Sequence, residues 1–245
     1  MRSGVGAVLG VLLALVPVLT PGPALAFGSY AAVKRALYTE VFALDRRTFY
    51  CGCPFDAGRR LNLEACGYQS RHGGQRAGRV EVEHVVPASW IGAGRTCWTK
   101  KICRDARGQA FKGRKCCLAI DPAFRDAYQD MHNLRPSVGE VNEFRSNYRF
   151  SLIAGERRAF GRCDIEIDRQ AKSAEPRPEI RGDIARIHLY MQATHGIQLK
   201  DTQRHLFETW HRQDPPDAIE QRRHAAIAGL QGRRNPWIAL GRPGR

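Results

Sequence analysis

Eight cysteines limit the fold of this chain more than any other feature: Cys51, Cys53, Cys66, Cys97, Cys103, Cys116, Cys117 and Cys163. All of them follow an N-terminus built like an export leader, with Arg2, an apolar run from Val5 to Leu19, then Pro-Gly-Pro and the small-residue site Ala24-Leu25-Ala26. That layout predicts a secretory signal over residues 1–26, cleaved after Ala26. The apolar run is shorter than the roughly 20 residues of a membrane-spanning helix and is broken by Pro17, so export is favoured over anchoring. An even number of cysteines in an exported chain predicts disulfides. Eight allow on the order of a hundred pairings, so the connectivity stays open, but Cys116 and Cys117 are adjacent and must take different partners. Zinc is the competing account, built on Cys51, Cys53, Cys66 and His72 or on the cluster from Cys97 to Cys117. Neither group has the paired C-x-x-C spacing of the common zinc modules.

Residues 27–245 then form a segment of roughly 220 residues, within the range of one domain. It has no Gly/Ser linker, no internal repeat and no break in composition. The formal net charge is +15, with arginine dominating the excess. Such a surface attracts polyanions, with nucleic acid first and an anionic membrane surface or acidic polysaccharide second. Arginine suits bidentate phosphate contacts better than lysine. Solubility alone would also account for the charge.

Hydrophobic periodicity predicts a helix capped by Ser29 and running to about Leu44, with Val33, Ala36, Leu37, Val41 and Phe42 inward. Thr48–Pro54 and Arg79–Val86 read as strands. A basic loop from Cys97 to Cys117 follows, then a second strand through His132–Arg135 that stops at Pro136. Ser137 and Glu140 have capping-box spacing, so a helix should start at about Val138 and carry Asn142, Arg145 and Arg149 on one face. Later helices are predicted at Gly182–Thr194, at Thr202–Arg212 behind an Asp201 cap, and from Asp217 to about Leu230. The expected class is α+β: a helix-rich, disulfide-stabilised single domain around a small antiparallel element. Trp90, Trp98, Trp210 and Trp237 read as core or loop anchors. His188, His205, His211 and His224 read as helix-surface or hydrogen-bonded side chains, and His132 as a possible neighbour of a site at Asn133.

Within Arg79–Pro87, Glu83-His84 sets a carboxylate beside an imidazole at a strand end. Phosphodiester hydrolysis needs a base for water, a cation for the charge growing on phosphorus-bound oxygens, and a donor for the phosphate. His84 suits the first role because imidazole titrates near neutrality. Glu83 suits the second, because Mg²⁺ takes oxygen ligands, and Asn142 could supply another. Strand alternation sends successive side chains apart, so the strand must end or bend for Glu83 and His84 to share a site.

The motifs Glu83-His84-Val85-Val86-Pro87-Ala88, Cys97-Trp98, Gly113-Arg114-Lys115, Asp130-Met131-His132-Asn133-Leu134 and Pro136-Ser137-Val138-Gly139-Glu140-Val141-Asn142 closely resemble the endonuclease I family. These are exported, non-specific bacterial nucleases of the ββα-metal class. Phe49-Tyr50-Cys51-Gly52-Cys53, Cys66-Gly67-Tyr68-Gln69 and Ile184-Ala185-Arg186 extend the likeness along the chain.

The resemblance implies a central ββα-metal motif in which His84 is the general base and Glu83 and Asn142 hold one Mg²⁺, for which other divalent ions can substitute. It further implies that Asn133 supports the site, that Arg114 binds the phosphate, and that DNA and also RNA are cut to 5′-phosphate and 3′-hydroxyl ends by a periplasmic or secreted monomer. Lys115, Arg145 and Arg149 are the expected backbone-phosphate contacts, which carry no base information. The stretch between Cys97-Trp98 and Gly113-Arg114 is longer than the family pattern, so a Cys103–Cys116 bridge bracing it is expected. The same extension leaves Arg107, Lys112 and Lys115 as alternatives to Arg114. A non-catalytic secreted nucleic-acid-binding protein and a zinc-dependent hydrolase are the rival functions.

Overall fold

Ser29 opens the first helix as expected, its Oγ accepting from the Ala32 amide at 3.2 Å. A computed structural model describes residues 27–155 and 157–239 of the chain; the predicted leader and its cleavage site lie outside them. Helix α1 (Tyr30–Ala36) widens into a π-turn at Leu37–Val41 and tightens at Phe42–Leu44. Val33, Leu37, Val41 and Phe42 on its inner face are buried with Met131, Leu134 and Ile227.

Thr48–Pro54 is not a strand. It is a turn around Gly52, whose φ of +66 favours a residue without Cβ, and it is closed by the Cys53 amide donating to Thr48 Oγ1 at 2.9 Å. Strand β1 (Val80–His84) leads into the short helices α2 (Ala88–Gly92) and α3 (Thr96–Thr99). The basic loop folds as a hairpin, β2 (Cys103–Arg104) against β3 (Ala110–Phe111), before α4 (Arg114–Ile120) and α5 (Pro122–Gln129). Strand β4 (Leu134–Val138) pairs antiparallel with β1, Glu83 opposite Arg135 and Glu81 opposite Ser137.

Pro136 lies inside β4 and does not end it. The sheet has only two strands, so the missing N–H falls on an edge, and the Pro136 carbonyl accepts from the Phe49 amide at 2.7 Å.

Helix α6 (Gly139–Arg145) follows β4 at once. The predicted capping box does not form: Ser137 stays in the strand and donates to the Val138 carbonyl, while Glu140 accepts from Tyr68 Oη and from the amides of Arg71 and His72. The helix stops at Arg145 because Ser146 turns into positive φ. Arg149 therefore belongs to β5 (Arg149–Phe150), which joins β6 (Ile165–Asp168) and β7 (Ser173–Pro176) in a three-stranded sheet that the periodicity did not suggest. Its strands are too short for alternation to stand out.

The long helices α7 (Arg181–His195), α8 (Asp201–Gln213) and α9 (Ala218–Gln231) match their predictions, followed by α10 (Pro236–Ala239). Asp201 is the first helical residue and not the cap, whereas Asp217 does cap α9. Buried Arg186 forks onto Glu220 at 2.8 and 2.5 Å and ties α7 to α9. Asp130 accepts from Tyr190 Oη, His195 Nε2, Gln231 Nε2 and Arg233 Nη1, joining the turn before β4 to α7 and to the end of α9. Burial opposes its charge, but the bonds from His195 and Tyr190 outweigh it and hold the carboxyl far below its usual range. Among the described residues no helix is long and apolar enough to cross a membrane.

All eight cysteines are paired, as Cys51–Cys163, Cys53–Cys66, Cys97–Cys117 and Cys103–Cys116. None is left as a zinc thiolate, and the bridge expected to brace the lengthened loop is present. The Cys103–Cys116 bridge spans a sequence separation of 13 and staples the hairpin to α4. Cys103→Ala/Cys116→Ala is expected to lower stability by about 2–3 kcal/mol, the loop-closure entropy of a link this short. Urea unfolding against the oxidised wild type checks this; coincident midpoints would show that the bridge constrains little.

Candidate active site

Strand β1 and helix α6 meet through a matched spacing. Glu81 and Glu83 are two apart on a strand and share a face; Asn142 and Arg145 are three apart on a helix and share one too. Asn142 Nδ2 donates to Glu81 Oε2 at 2.9 Å, and Arg145 Nη1 donates to Glu83 Oε1 at 2.9 Å. Gly139 lets the helix begin this close, because a Cβ there would lie 2.7 Å from the Arg76 carbonyl and 2.8 Å from Glu81 Oε1.

Arg145 is fully buried, which corrects its expected role on nucleic-acid phosphates. Besides Glu83 it donates to the carbonyls of His84 at 3.0 Å and Val85 at 2.5 Å, with its guanidinium 4.6 Å from the Phe150 ring centroid. Asn133, buried on the other side, clamps the next peptide: its Oδ1 accepts from the Val86 amide at 2.7 Å and its Nδ2 donates to the Val86 carbonyl at 2.9 Å. These two side chains hold the chain as it leaves β1. Asn133 spends its amide on that clamp and does not line the cavity beside β1. His132 also turns away, its Nε2 donating to the Arg233 carbonyl.

That cavity holds about 730 Å³ and is lined by Glu81, Glu83, His84, Arg114 and Asn142, with Tyr30, Tyr128 and Trp98 among its other walls. The His84 ring is wedged between Tyr128 and Tyr30, at centroid distances of 4.2 and 5.6 Å. Its Nε2 lies 2.9 Å from the Tyr128 carbonyl. A carbonyl only accepts, so Nε2 carries the hydrogen and Nδ1 keeps the lone pair. Nδ1 has no hydrogen-bond partner among the described residues. Burial pushes the imidazole pKa down to about 4 against the Tyr128 bond, with Arg114 and Arg145 adding to the fall, so the ring is neutral at pH 7.

Glu83 is buried, and both hydrogen bonds it accepts, from Tyr50 Oη and Arg145, fall on Oε1. Burial raises its pKa, opposed first by Arg145 and then by Tyr50. Glu81 is held by the Arg76 fork at 3.0 and 2.6 Å. Since Asn142 gives its Nδ2 to Glu81, its Oδ1 is the free end of the amide. Glu83 and Asn142 thus offer hard oxygen donors on one cavity, which fits a small divalent cation better than a thiolate-seeking one. No cluster of three His, Cys, Asp or Glu occurs among the described residues, so such an ion would complete its shell with water and substrate oxygens.

Of the basic residues in the lengthened loop, Arg114 at the start of α4 lines the cavity; Arg107, Lys112 and Lys115 do not, and Lys112 Nζ is bonded to the Thr99 carbonyl. Lys115 and Arg149 are exposed outside this cavity. Glu81, Arg76 and Tyr50 escaped sequence reasoning. Only Glu81 left a signal, as the second carboxylate of an alternating Glu-Val-Glu.

The chain was compared with known proteins. It is 39% identical to a periplasmic deoxyribonuclease of Aeromonas hydrophila over 90% of each chain. It is 38% identical to an extracellular deoxyribonuclease of the same organism, covering 88% of this chain and 96% of the relative. It is 36% identical to an Endonuclease-1 of Buchnera aphidicola, covering 78% and 73%. The family model for endonuclease I matches residues 39–241, and the chain belongs to the endonuclease I family.

Proposed function

We propose that this chain is an exported, sequence-non-specific endonuclease of the periplasm or the medium, acting as a monomer on DNA and also on RNA. The observation that carries the reading is the convergence on one cavity of a neutral imidazole with a free Nδ1, two oxygen donors and an arginine. Its relatives, named as periplasmic and extracellular deoxyribonucleases, support it. His84 Nδ1 takes a proton from water, whose oxygen attacks phosphorus; the bond to the 3′ oxygen breaks and that oxygen takes a proton from solvent, leaving a 5′ phosphate and a 3′ hydroxyl. Arg114 holds the phosphate. Glu83 and Asn142 would hold one Mg²⁺ or a substituting divalent ion, which when bound supplies charge for the phosphorane and for the departing oxygen. Glu81, fixed by Arg76, holds the Asn142 Nδ2 and so would leave the amide oxygen available as a ligand.

Protein stripped of divalent ions is expected not to nick plasmid, and Mg²⁺ to restore nicking while a zinc-selective chelator changes nothing. Glu81→Ala frees the amide to rotate and should raise the Mg²⁺ requirement roughly 10- to 100-fold, as losses behind a ligand do. Mn²⁺ titration followed by electron paramagnetic resonance should show the same weakening without turnover. Undiminished cleavage after metal removal would sink the metal role, and no cleavage under any condition would favour the non-catalytic binding protein.

A further inference from the structure

A second cleft of about 800 Å³ adjoins the catalytic cavity, and Asn147 lines both. Asn147 Nδ2 donates to Ser89 Oγ at 3.3 Å, so this contact is the sill between them. The cleft is walled by Arg149, Lys172 and Lys200, all exposed, and no carboxylate lines it. None of the three is in an ion pair among the described residues, whereas Arg76, Arg95, Arg145, Arg181, Arg186 and Arg233 are paired. Like charges gathered without counter-charge repel one another, and an anion relieves this.

A free anion alone does not explain the rest of the lining. The aromatic side chains of Trp90 and Tyr148 are half-buried in the lining of the same cleft. Gln203, 8% exposed, is held in the lining by its Nε2, which donates to the Phe150 carbonyl at 2.9 Å. A ligand with phosphates and flat rings satisfies both features, and a polynucleotide strand is that ligand.

We propose that this cleft is a strand-binding subsite, which takes the nucleotides running past the Asn147–Ser89 sill while the scissile phosphate sits beside His84. The inference rests on the nuclease reading. It assigns Lys172 and Lys200 to phosphates and Trp90 and Tyr148 to base stacking.

The test uses fluorescein-labelled single-stranded DNA and the otherwise intact His84→Ala protein, so that binding is read without cleavage. Lys172→Glu/Lys200→Glu should weaken binding of a twelve-nucleotide probe by about tenfold or more and lower the slope of log K against log salt by roughly 1.4, for two lost single-strand phosphate contacts. A two-nucleotide probe, too short to leave the catalytic cavity, should lose far less. Both lysines are exposed and unpaired, so the thermal midpoint should hold; Lys172→Gln/Lys200→Gln gives the same comparison without charge reversal. Equal affinities and salt slopes for the long probe would overturn the subsite, and so would equal losses for both probes. Failure of the parent protein to bind any probe would overturn the nuclease reading itself.

Discussion

His84→Ala is expected to slow plasmid nicking by roughly two to four orders of magnitude, the range that a positioned general base supplies. Among the described residues His84 is the one histidine lining the cavity beside β1, so no neighbouring imidazole can replace it. His132 is committed to the Arg233 carbonyl, and His188 is buried with its Nδ1 on the Ile184 carbonyl. The backbone at position 84 should survive the change, because Arg145 and Asn133 hold the carbonyls and amides around it and not the ring. Loss of the contacts with Tyr128 and Tyr30 should cost a little stability, which circular dichroism will register without collapse. Oligonucleotide affinity should persist. Nicking by the variant at the wild-type rate would overturn the assignment of the base.

The second large effect falls on stability. Arg145→Met removes the counter-charge of buried Glu83 together with the donors to two carbonyls at the end of β1, and is expected to cost about 3–5 kcal/mol in urea unfolding. Arg145→Lys should recover little, since a single ammonium cannot fork onto three acceptors. Glu83→Gln/Arg145→Met should be more stable than Arg145→Met alone, because most of the cost is an unpaired buried carboxylate. If Arg145→Met unfolds with the wild type and only the salt dependence of DNA binding changes, Arg145 grips phosphate after all and its burial has been misjudged.

The contrast between those two variants shows where sequence reasoning succeeded. His84 and Arg114 could be singled out from linked motifs, and both line the cavity. The long helices α7, α8 and α9 follow from periodicity, because a helix writes its buried face into neighbouring residues. The Glu-Val-Glu of β1 also obeyed its period, but alternation shows which carboxylates share a face and not what they meet there. Arg145 shares a helix face with Asn142 as predicted, yet that face points inward, onto Glu83 across a separation of 62 residues. The capping box failed in the same way: the local partners Ser137 and Glu140 were outbid by Tyr68 and two amides about seventy residues upstream.

By itself, the sequence determined the membership of the chain in its family, the need for disulfides, the order of the long helices and the residue types of the site. The tertiary structure alone decided that Glu81 orients Asn142, that Arg145 is an internal counter-ion, that Arg114 and not its basic neighbours faces the cavity, and how the six cysteines other than Cys103 and Cys116 pair. The physical reason is range. Periodicity, turns and motifs are recorded within a few residues, whereas burial, counter-charge and the free end of an amide depend on groups brought together from 60 to more than 100 positions away.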